Sequence, residues 1–192
     1  MPPFDTFFVL NSGSSSLKAA AFDVKTARES FQAKNFPQEL WSANKDKNLL
    51  DADEATCQST VNDLLTQFSN ETKIDKGRVG WVAHRVVHGG ARLISPIELT
   101  NEVEKEIEDL AELAPVHNPI ASKIIRATKK ELNNARYFAV FDTAFHATLP
   151  LHAYTYPVPQ KWSIEYGIRR FGFHGINHKY CMHKAAQMLA AD

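Results

Sequence analysis

Residues 7–22 of the chain read FFVLNSGSSSLKAAAF, which is an apolar run, a polar turn and a second run of small apolar residues. The pattern predicts two short strands joined by a turn that contains a glycine, three consecutive hydroxyls and, shortly after them, a lysine. Gly13 lets the backbone approach a ligand closely, and Lys18 supplies positive charge. Hydroxyls and free turn N–H groups can donate hydrogen bonds to phosphate oxygens. We interpret the segment as a phosphate-binding β-hairpin, although an ordinary serine-rich turn would show the same pattern.

The turn differs from the P-loop, in which Gly-x4-Gly-Lys-Ser/Thr opens a helix. Here small apolar residues follow the serines, and Lys18 is predicted to lie on the second strand. Asn11, at the end of the first strand, could hold a metal-bound water through its side-chain oxygen. The sequence therefore predicts a phosphate site on a hairpin.

Composition sets limits on the size and the partners of the protein. A chain of 192 residues makes one large domain or two small ones, and 44% hydrophobic residues is ordinary for a globular protein. Lys and Arg number 22, as do Asp and Glu, so the net charge of zero gives no bulk electrostatic case for binding nucleic acid or anionic membrane. No apolar run approaches the ~20 residues of a membrane span, and the amino terminus shows no secretion signal. Cys57 and Cys181 lie far apart and suggest neither a disulfide framework nor a zinc knuckle, so we expect a cytoplasmic protein.

Apolar spacing after residue 53 predicts helices and strands in alternation. Between Asp53 and Phe68, apolar side chains recur three and four residues apart, which is typical of an amphipathic helix. Asn118–Pro119 is typical of a helix start with the asparagine as N-cap. We expect residues 24–52 to be irregular, with isolated aromatics that could add strands, and residues 147–168 to form a loop. The other predicted elements are a strand over 79–87, helices over 101–113 and 118–132, a strand over 137–141 and a helix over 177–190.

This order of elements predicts an α/β fold with a mixed sheet. Its parallel strands follow an antiparallel amino-terminal hairpin, and helices flank the sheet. In such sheets ligands gather at the carboxyl ends of the strands. Asn11, Val87–His88 and Asp142 all stand at predicted strand ends, which favours a single site.

Four further motifs occur along the chain. They read HRVVHGG over 84–90, APVHNP over 114–119, VFDTAFH over 140–146 and RRFGFHG over 169–175. Together with the serine turn, and in the same order, they closely resemble the amino-terminal half of acetate kinases. The resemblance covers nearly the whole chain, and five ordered motifs are far more specific than any one of them.

The resemblance implies a fold and an activity that composition and periodicity do not show. The fold would be the ribonuclease H-like one of the actin, Hsp70 and sugar-kinase superfamily, with residues 1–192 forming the amino-terminal domain and the carboxy-terminal nucleotide-binding domain absent. The activity would be reversible transfer of the ATP γ-phosphoryl group to acetate, giving acetyl phosphate and ADP, with Mg²⁺. The resemblance also implies a cytoplasmic homodimer without nucleic-acid or membrane partners. Because the second domain is absent, we expect these residues alone to be inactive.

The resemblance also assigns roles to individual residues. Asp142, His174 and Arg85 would be catalytic, with Arg85 binding the carboxylate. Because acetate already carries a nucleophilic oxygen, Asp142 is better suited to orienting Arg85 or the water shell of the metal than to accepting a proton. The remaining implied roles are Lys18, Ser14 and Ser16 for ATP, Asn11 for Mg²⁺, and Val87, Val116, His117 and Phe173 for the acyl substrate.

Two motifs depart from the family pattern. The family commonly has Thr-Ser where Ile176 and Asn177 stand, although Asn177 could still cap the last helix. It commonly has leucine where Val116 stands, and a smaller wall could admit propionate more easily.

Rival interpretations come from different classes of protein. One is a non-catalytic lobe that binds phosphate or nucleotide. Another is a metal hydrolase, because His84 with His88 and His174 with His178 are each four residues apart.

Overall fold

The computed structural model describes residues 4–13, 15–33 and 35–189. The predicted hairpin is present: β1 (Thr6–Ser12) pairs antiparallel with β2 (Ser16–Asp23), and the Gly13 N–H donates to the Ser16 carbonyl oxygen at 2.9 Å. This register sets Asn11 opposite Lys18. β3 (Glu39–Asp46) adds a third antiparallel strand beside β2. Ser14, an implied phosphate ligand, lies outside the described residues.

The hairpin is one side of a six-stranded mixed sheet with the order β3-β2-β1-β4-β6-β5. β4 (Val79–Val86) runs parallel to β1, and β6 (Arg136–Phe141) runs parallel to β4. The two-residue β5 (Ile97–Glu98) pairs antiparallel with β6 at the edge. The carboxyl ends of β1, β4 and β6 therefore meet at one edge, as the order of elements predicts.

Seven helices lie in the described part of the chain. Capping explains two starts: Asp53 accepts a hydrogen bond from the Thr56 N–H, and Thr100 accepts one from the Val103 N–H. None of the described helices is both long and apolar enough to cross a bilayer. The helices are α1 (Val24–Gln32), α2 (Glu54–Thr72), α3 (Asn101–Asp109), α4 (Asn118–Glu131), α5 (Leu151–Tyr154), α6 (Gln160–Tyr166) and α7 (Gly175–Leu189).

One face of the sheet carries the core. Phe8 packs against Phe68 of α2 and Trp41 of β3, with ring centroids 5.3 and 5.8 Å apart, and α4 contacts β1 and β4. Leu10 alternates with the half-exposed Val9, so the other face of the sheet is far less covered. The described residues from 151 to 189 contribute a single buried position to the interior. The buried core of the described chain is therefore formed almost entirely by residues before position 148.

The sequence-based element predictions hold for the strands and long helices, including a strand added around Trp41 (β3), and fail in four places. Residues 24–52 also contain the unpredicted α1, and residues 147–168 contain α5 and α6 instead of a loop. Asn118 is not the N-cap, because α4 begins at Asn118 and the position before it makes no side-chain cap. Asn177 does not cap α7, since that helix begins at Gly175 and Asn177 lies inside it.

His84 of β4 is a buried histidine on the core face of the sheet. It is 2% exposed, its ring stacks 6.1 Å from Tyr137, and its Nε2 has no hydrogen-bond partner among the described residues. Burial, together with the charge of Lys129, lowers the pKa of His84 to about 3. Lys129 also lies 5.5 Å from the centre of the Tyr137 ring. The folded protein therefore holds His84 as the neutral imidazole.

We predict that His84 makes the fold sensitive to acid. Its folded pKa of about 3 lies below the ordinary value of 6.5, so the unfolded chain binds the extra proton between these two pH values. The stability due to neutral His84 is complete above pH 6.5 and is lost as the pH falls. In urea unfolding at pH 5 to 7, His84→Leu should reduce the slope of unfolding free energy below about pH 6 by about 1.4 kcal/mol per pH unit.

The exposed His152 provides the control, because His152→Leu should leave the slope unchanged. Equal slopes for wild type and His84→Leu would contradict the prediction.

Candidate active site

Polar side chains from three neighbouring strands meet where those strands end. The parallel register sets Asn11 of β1 beside Arg85 of β4 and Arg85 beside Val140 of β6. Asp142 follows β6 directly, and its N–H donates to the Val86 carbonyl oxygen at 3.1 Å. The fold thus brings together Asn11, Arg85 and Asp142. In sequence, Arg85 is 74 positions from Asn11 and 57 positions from Asp142.

Arg85 is the centre of this group. Its Nε donates to both Asp142 carboxylate oxygens at 3.1 and 3.2 Å, and its Nη2 donates to Asp142 Oδ2 at 2.5 Å. Its Nη1 donates to Asn11 Oδ1 at 3.0 Å. Asp142 thus holds the Nε side of the guanidinium. A guanidinium has five N–H groups, so one on each terminal nitrogen stays free of partners among the described residues and can bind an anion.

The carboxylate of Asp142 is buried, so its ion pair with Arg85 matters for the stability of the fold. Asp142 is 1% exposed, whereas 22% of the Arg85 side chain is exposed. A buried carboxylate requires a cationic or hydrogen-bonding partner, because its desolvation costs several kcal/mol. Arg85 meets this requirement and still reaches solvent. Asp142 is therefore placed to orient Arg85.

Lys18 and Ser16 lie on the same face of the sheet as Arg85. Directly opposed residues of antiparallel strands share a face, which places Lys18 with Asn11, and Ser16 is two positions before Lys18. Asn11, Lys18 and Asn44 line one shallow groove on this less covered face. Lys18 is exposed and Ser16 is half-buried. The groove therefore offers hydroxyl, amide and ammonium groups to a ligand.

The donor set at this edge fits a magnesium ion held through water. Asn11 Oδ1 accepts one hydrogen bond from Arg85 and keeps a second lone pair, while both Asp142 oxygens contact Arg85. Mg²⁺ usually keeps several waters and binds substrate phosphates as well. In the described part of the chain, no group of three or more His, Cys, Asp or Glu side chains is arranged to hold a metal ion.

The start of α4 is fixed to the end of β4 through Asn118. Asn118 is fully buried, its Oδ1 accepts from the His88 N–H at 3.2 Å, and its Nδ2 donates to the carbonyl oxygens of His88 and Ile107 at 3.0 and 3.2 Å. Val116 and His117 directly precede Asn118, so this cross-link positions them relative to β4. Sequence reasoning missed this role, because an asparagine before a proline is typical of a helix cap.

The expected acyl-pocket residues differ in exposure. Val87 follows β4 and is 8% exposed, whereas Val116 and Phe173 are each 47% exposed. His117 is half-buried, and its N–H donates to the Ala114 carbonyl oxygen at 3.0 Å. Val87 is thus buried, whereas Val116 and Phe173 are open to solvent.

His88 also approaches the loop that carries Phe173 and His174. Its ring centre lies 4.6 Å from that of Phe171 and 5.9 Å from that of Phe173. Its Nδ1 accepts from the Gly90 N–H at 2.9 Å, and burial lowers the pKa of His88. The sequence analysis placed Val87–His88 at the site edge but did not predict these ring contacts. A histidine directly before two glycines was the available signal.

His174 has an unusual backbone conformation. Its φ is 54°, a left-handed value that is uncommon in residues other than glycine. The next residue, Gly175, donates its N–H to the Asp142 carbonyl oxygen at 3.0 Å. The fold therefore brings His174 next to the backbone of Asp142, and a strained backbone at such a place points to a functional constraint.

The chain was compared with known proteins. It matches the model of the acetokinase family over residues 6–192. Acetate kinase from Nostoc punctiforme is 40% identical over 96% of this chain and 50% of its own length. For acetate kinase from Bacillus subtilis the identity is 39%, over 94% of this chain and 47% of its own length. The chain thus spans about half the length of the curated relatives it matches.

Solved structures give the same result for the fold. A propionate kinase from Francisella tularensis superposes with a TM-score of 0.76 at 28% identity, covering 98% of this chain and 50% of its own. Acetate kinase from Porphyromonas gingivalis gives a TM-score of 0.75, also at 28% identity, over 98% of this chain and 50% of its own. These likenesses confirm the predicted fold class and the predicted resemblance.

We predict strong energetic coupling between Arg85 and Asp142. In a double-mutant cycle of Arg85→Leu and Asp142→Asn, each single change should destabilise the fold, because it leaves a partner charge unpaired. The double variant should be more stable than the sum predicts, with a coupling of about 1–3 kcal/mol in urea unfolding.

The exposed pair Lys105 and Asp109 on α3 is the matched control. Changing Lys105→Gln and Asp109→Asn should give no measurable coupling. A coupling for Arg85 and Asp142 no larger than that of the control would contradict the prediction.

Proposed function

This chain belongs to the acetokinase family, and we propose that it forms the half of an acetate kinase that binds the acyl substrate and the transferred phosphoryl group. The observation that carries the proposal is Arg85, held by the buried Asp142 and by Asn11 with N–H donors still free. Planar guanidinium groups suit carboxylates because they can contact both oxygens. Phe173 and Val116 would surround the acetate methyl group above Val87.

The reaction would transfer the γ-phosphoryl group of ATP to acetate. An acetate oxygen attacks phosphorus and forms the new P–O bond, while the bond to the bridging oxygen breaks and its electron pair leaves with ADP. No proton moves, so no general base is required. The protein mainly positions the reactants and offsets charge on the phosphoryl oxygens.

The described residues divide this work between two parts of the sheet edge. Lys18, Ser16 and the N–H groups of the hairpin turn would hold phosphate oxygens. His174 would donate a hydrogen bond to the transferring group, and His117 would stand near the acyl side. Ser14 belongs to the same turn. Asp142 would orient Arg85. Asn11 would contact the water shell of Mg²⁺, which would arrive with ATP and offset phosphate charge.

We propose that these 192 residues bind ligands without appreciable turnover. Acetate and ATP repel each other, and the main cation at this edge, Arg85, already pairs with Asp142. The groove beside Lys18 is also open, so it excludes water poorly. A non-catalytic lobe that binds phosphate or nucleotide is therefore the second candidate for the chain on its own.

Location and assembly follow from the same proposal. We propose a cytoplasmic protein, because ATP is the co-substrate, and a homodimer like those of the family. Nucleic acid and membrane lipid are not proposed as partners, given a net charge of zero.

We predict that acetyl phosphate binds the chain through Arg85. In calorimetric or NMR titrations, Arg85→Gln should weaken acetyl phosphate binding about tenfold or more, because a charge-assisted contact is lost. Arg85→Lys should have an intermediate affinity, since it keeps the charge and loses the fork. Arg92→Gln is the control, because Arg92 pairs with Glu106 on an exposed surface. Circular dichroism would verify that each variant is folded.

Unchanged affinity in Arg85→Gln would overturn the assigned role of Arg85. A coupled assay on the same samples separates the two candidates: turnover at a level ordinary for acetate kinases would refute the proposed inactivity of the chain alone. Binding of ATP with Mg²⁺ and of acetyl phosphate, without turnover, is the expected result.

We also predict that the chain discriminates weakly between acetate and propionate. Valine at position 116 is shorter than the leucine common in the family and leaves room for another methylene. Val116→Leu should lower propionate binding relative to acetate by about fivefold to tenfold, since a methylene in an apolar pocket is worth roughly 1–3 kcal/mol. NMR titration with each carboxylate would measure the ratio. Strict preference for acetate in the wild type would contradict the prediction, and the exposed Ile164→Val provides the control.

A further inference from the structure

We infer that His146 is a positioning residue that fixes the loop carrying Phe173 and His174. The importance of this loop for phosphoryl transfer rests on the proposed function. The contacts that hold it are independent of that function and can be tested separately.

The imidazole of His146 forms a hydrogen bond to the loop backbone. Its Nε2 lies 2.9 Å from the Phe173 carbonyl oxygen. A carbonyl oxygen can only accept, so Nε2 must carry the proton in this contact. His146 ends a short 3-10 turn over Ala144–His146, which follows Asp142 almost directly. The strand end that presents Asp142 therefore also holds the residue before His174.

Gly172 allows the imidazole to approach the loop this closely. Its φ of 76° is left-handed, and a Cβ at this position would lie 2.5 Å from both Cδ2 and Cγ of His146. Glycine is thus required for its backbone conformation and for the contact with His146. Gly167 has a similar φ of 64°, but a Cβ there would meet nothing within 4 Å. An alanine at either glycine would strain the backbone, but only an alanine at Gly172 would also clash with the His146 ring. Comparing the two substitutions therefore separates the effect of backbone strain from the effect of the contact with His146.

A second hydrogen bond holds Gly175, the residue after His174. The Gly175 N–H donates to the Asp142 carbonyl oxygen at 3.0 Å, and a Cβ on Gly175 would lie 2.1 Å from that oxygen. His174, with its left-handed φ of 54°, lies between this hydrogen bond and the His146 contact. A strained conformation persists where its surroundings over-determine it. The His174 carbonyl oxygen also accepts from the His178 N–H at 2.9 Å, so loss of His146 removes the side-chain hydrogen bond to Phe173 while these backbone contacts remain.

The His88 ring and the Tyr154 carbonyl oxygen also contact this segment, the latter through the Arg170 N–H at 2.7 Å, but residues 169–174 add no side chain to the buried core. Phe173 is 47% exposed, and Arg169 and Arg170 just before it lie outside the buried core. The core lies before residue 148, so a change at His146 should loosen the loop without unfolding the sheet. Trypsin can report this loosening, because both arginines are its cleavage sites.

The experiment compares four variants of the whole chain. His146→Phe keeps a ring and loses the donor, while His146→Gln keeps an N–H at a similar distance from the backbone. Gly172→Ala should displace the imidazole, and Gly167→Ala is its matched control. The measurements are tryptic cleavage after Arg169 and Arg170, hydrogen exchange of the Gly175 amide, and the NMR signal of the His174 imidazole. Thermal unfolding would verify that the core is intact.

In His146→Phe and Gly172→Ala, we expect cleavage and Gly175 exchange to rise about fivefold to tenfold, as for the loss of one hydrogen bond. The His174 signal should shift or broaden in both. His146→Gln should restore values near wild type, and Gly167→Ala should stay close to wild type in all three measurements. Wild-type values in His146→Phe, or failure of His146→Gln to restore them, would overturn the inference.

A binding measurement keeps this inference distinct from the proposed function. If wild type binds acetyl phosphate, His146→Phe should weaken that binding and His146→Gln should restore it. If wild type does not bind it, the proposed function fails, while the cleavage, exchange and His174 measurements still decide whether His146 holds the loop.

Discussion

Arg85 and Asp142 form an ion pair at the ends of two adjacent parallel strands, and the arrangement of the site depends on it. Asp142 is 1% exposed, so its charge requires a partner that the protein interior must provide. Arg85 provides it across β4 and β6 and reaches Asn11 on β1 with another nitrogen. One side chain therefore connects three strands at the edge where ligands gather in sheets of this type. Within the described part of the chain, the same contacts leave one N–H on each terminal nitrogen of Arg85 without a partner, and 22% of its side chain is exposed.

The two faces of the sheet serve different purposes. Phe8 and Leu10 on one face pack against helices and provide most of the stability through burial of apolar surface. Asn11 and Lys18 lie on the other face, which is less covered and presents polar groups. The twofold alternation of a strand thus places core and site residues next to each other in sequence without conflict.

Much of the fold could be predicted from the sequence because local patterns agree with it. Two apolar runs on either side of the serine turn predicted β1 and β2. Apolar residues three and four positions apart predicted α2, in which Leu64, Leu65 and Phe68 are buried. Prediction failed where long-range contacts decide the outcome. Asn118 follows a local cap pattern, yet its side chain is used to join β4 and α3, and no local signal shows such partners. The strand-end rule predicted that Asn11 and Asp142 would meet. The sequence analysis expects Asp142 to orient Arg85 or the water shell of a metal, and the hydrogen bonds to Arg85 are present in the fold.

The loop over 171–174 shows why the histidines of this chain cannot be judged one by one. His88 contacts two phenylalanine rings of the loop, His146 holds a carbonyl oxygen of it, and His174 is the side chain that the loop presents. Burial lowers the pKa of His88, so its ring stays neutral and accepts from Gly90. A neutral ring that accepts a hydrogen bond at Nδ1 keeps one tautomer and one orientation, so His88 is a rigid neighbour for the loop. The three histidines are thus connected through this loop, and we expect a change at one of them to affect the others.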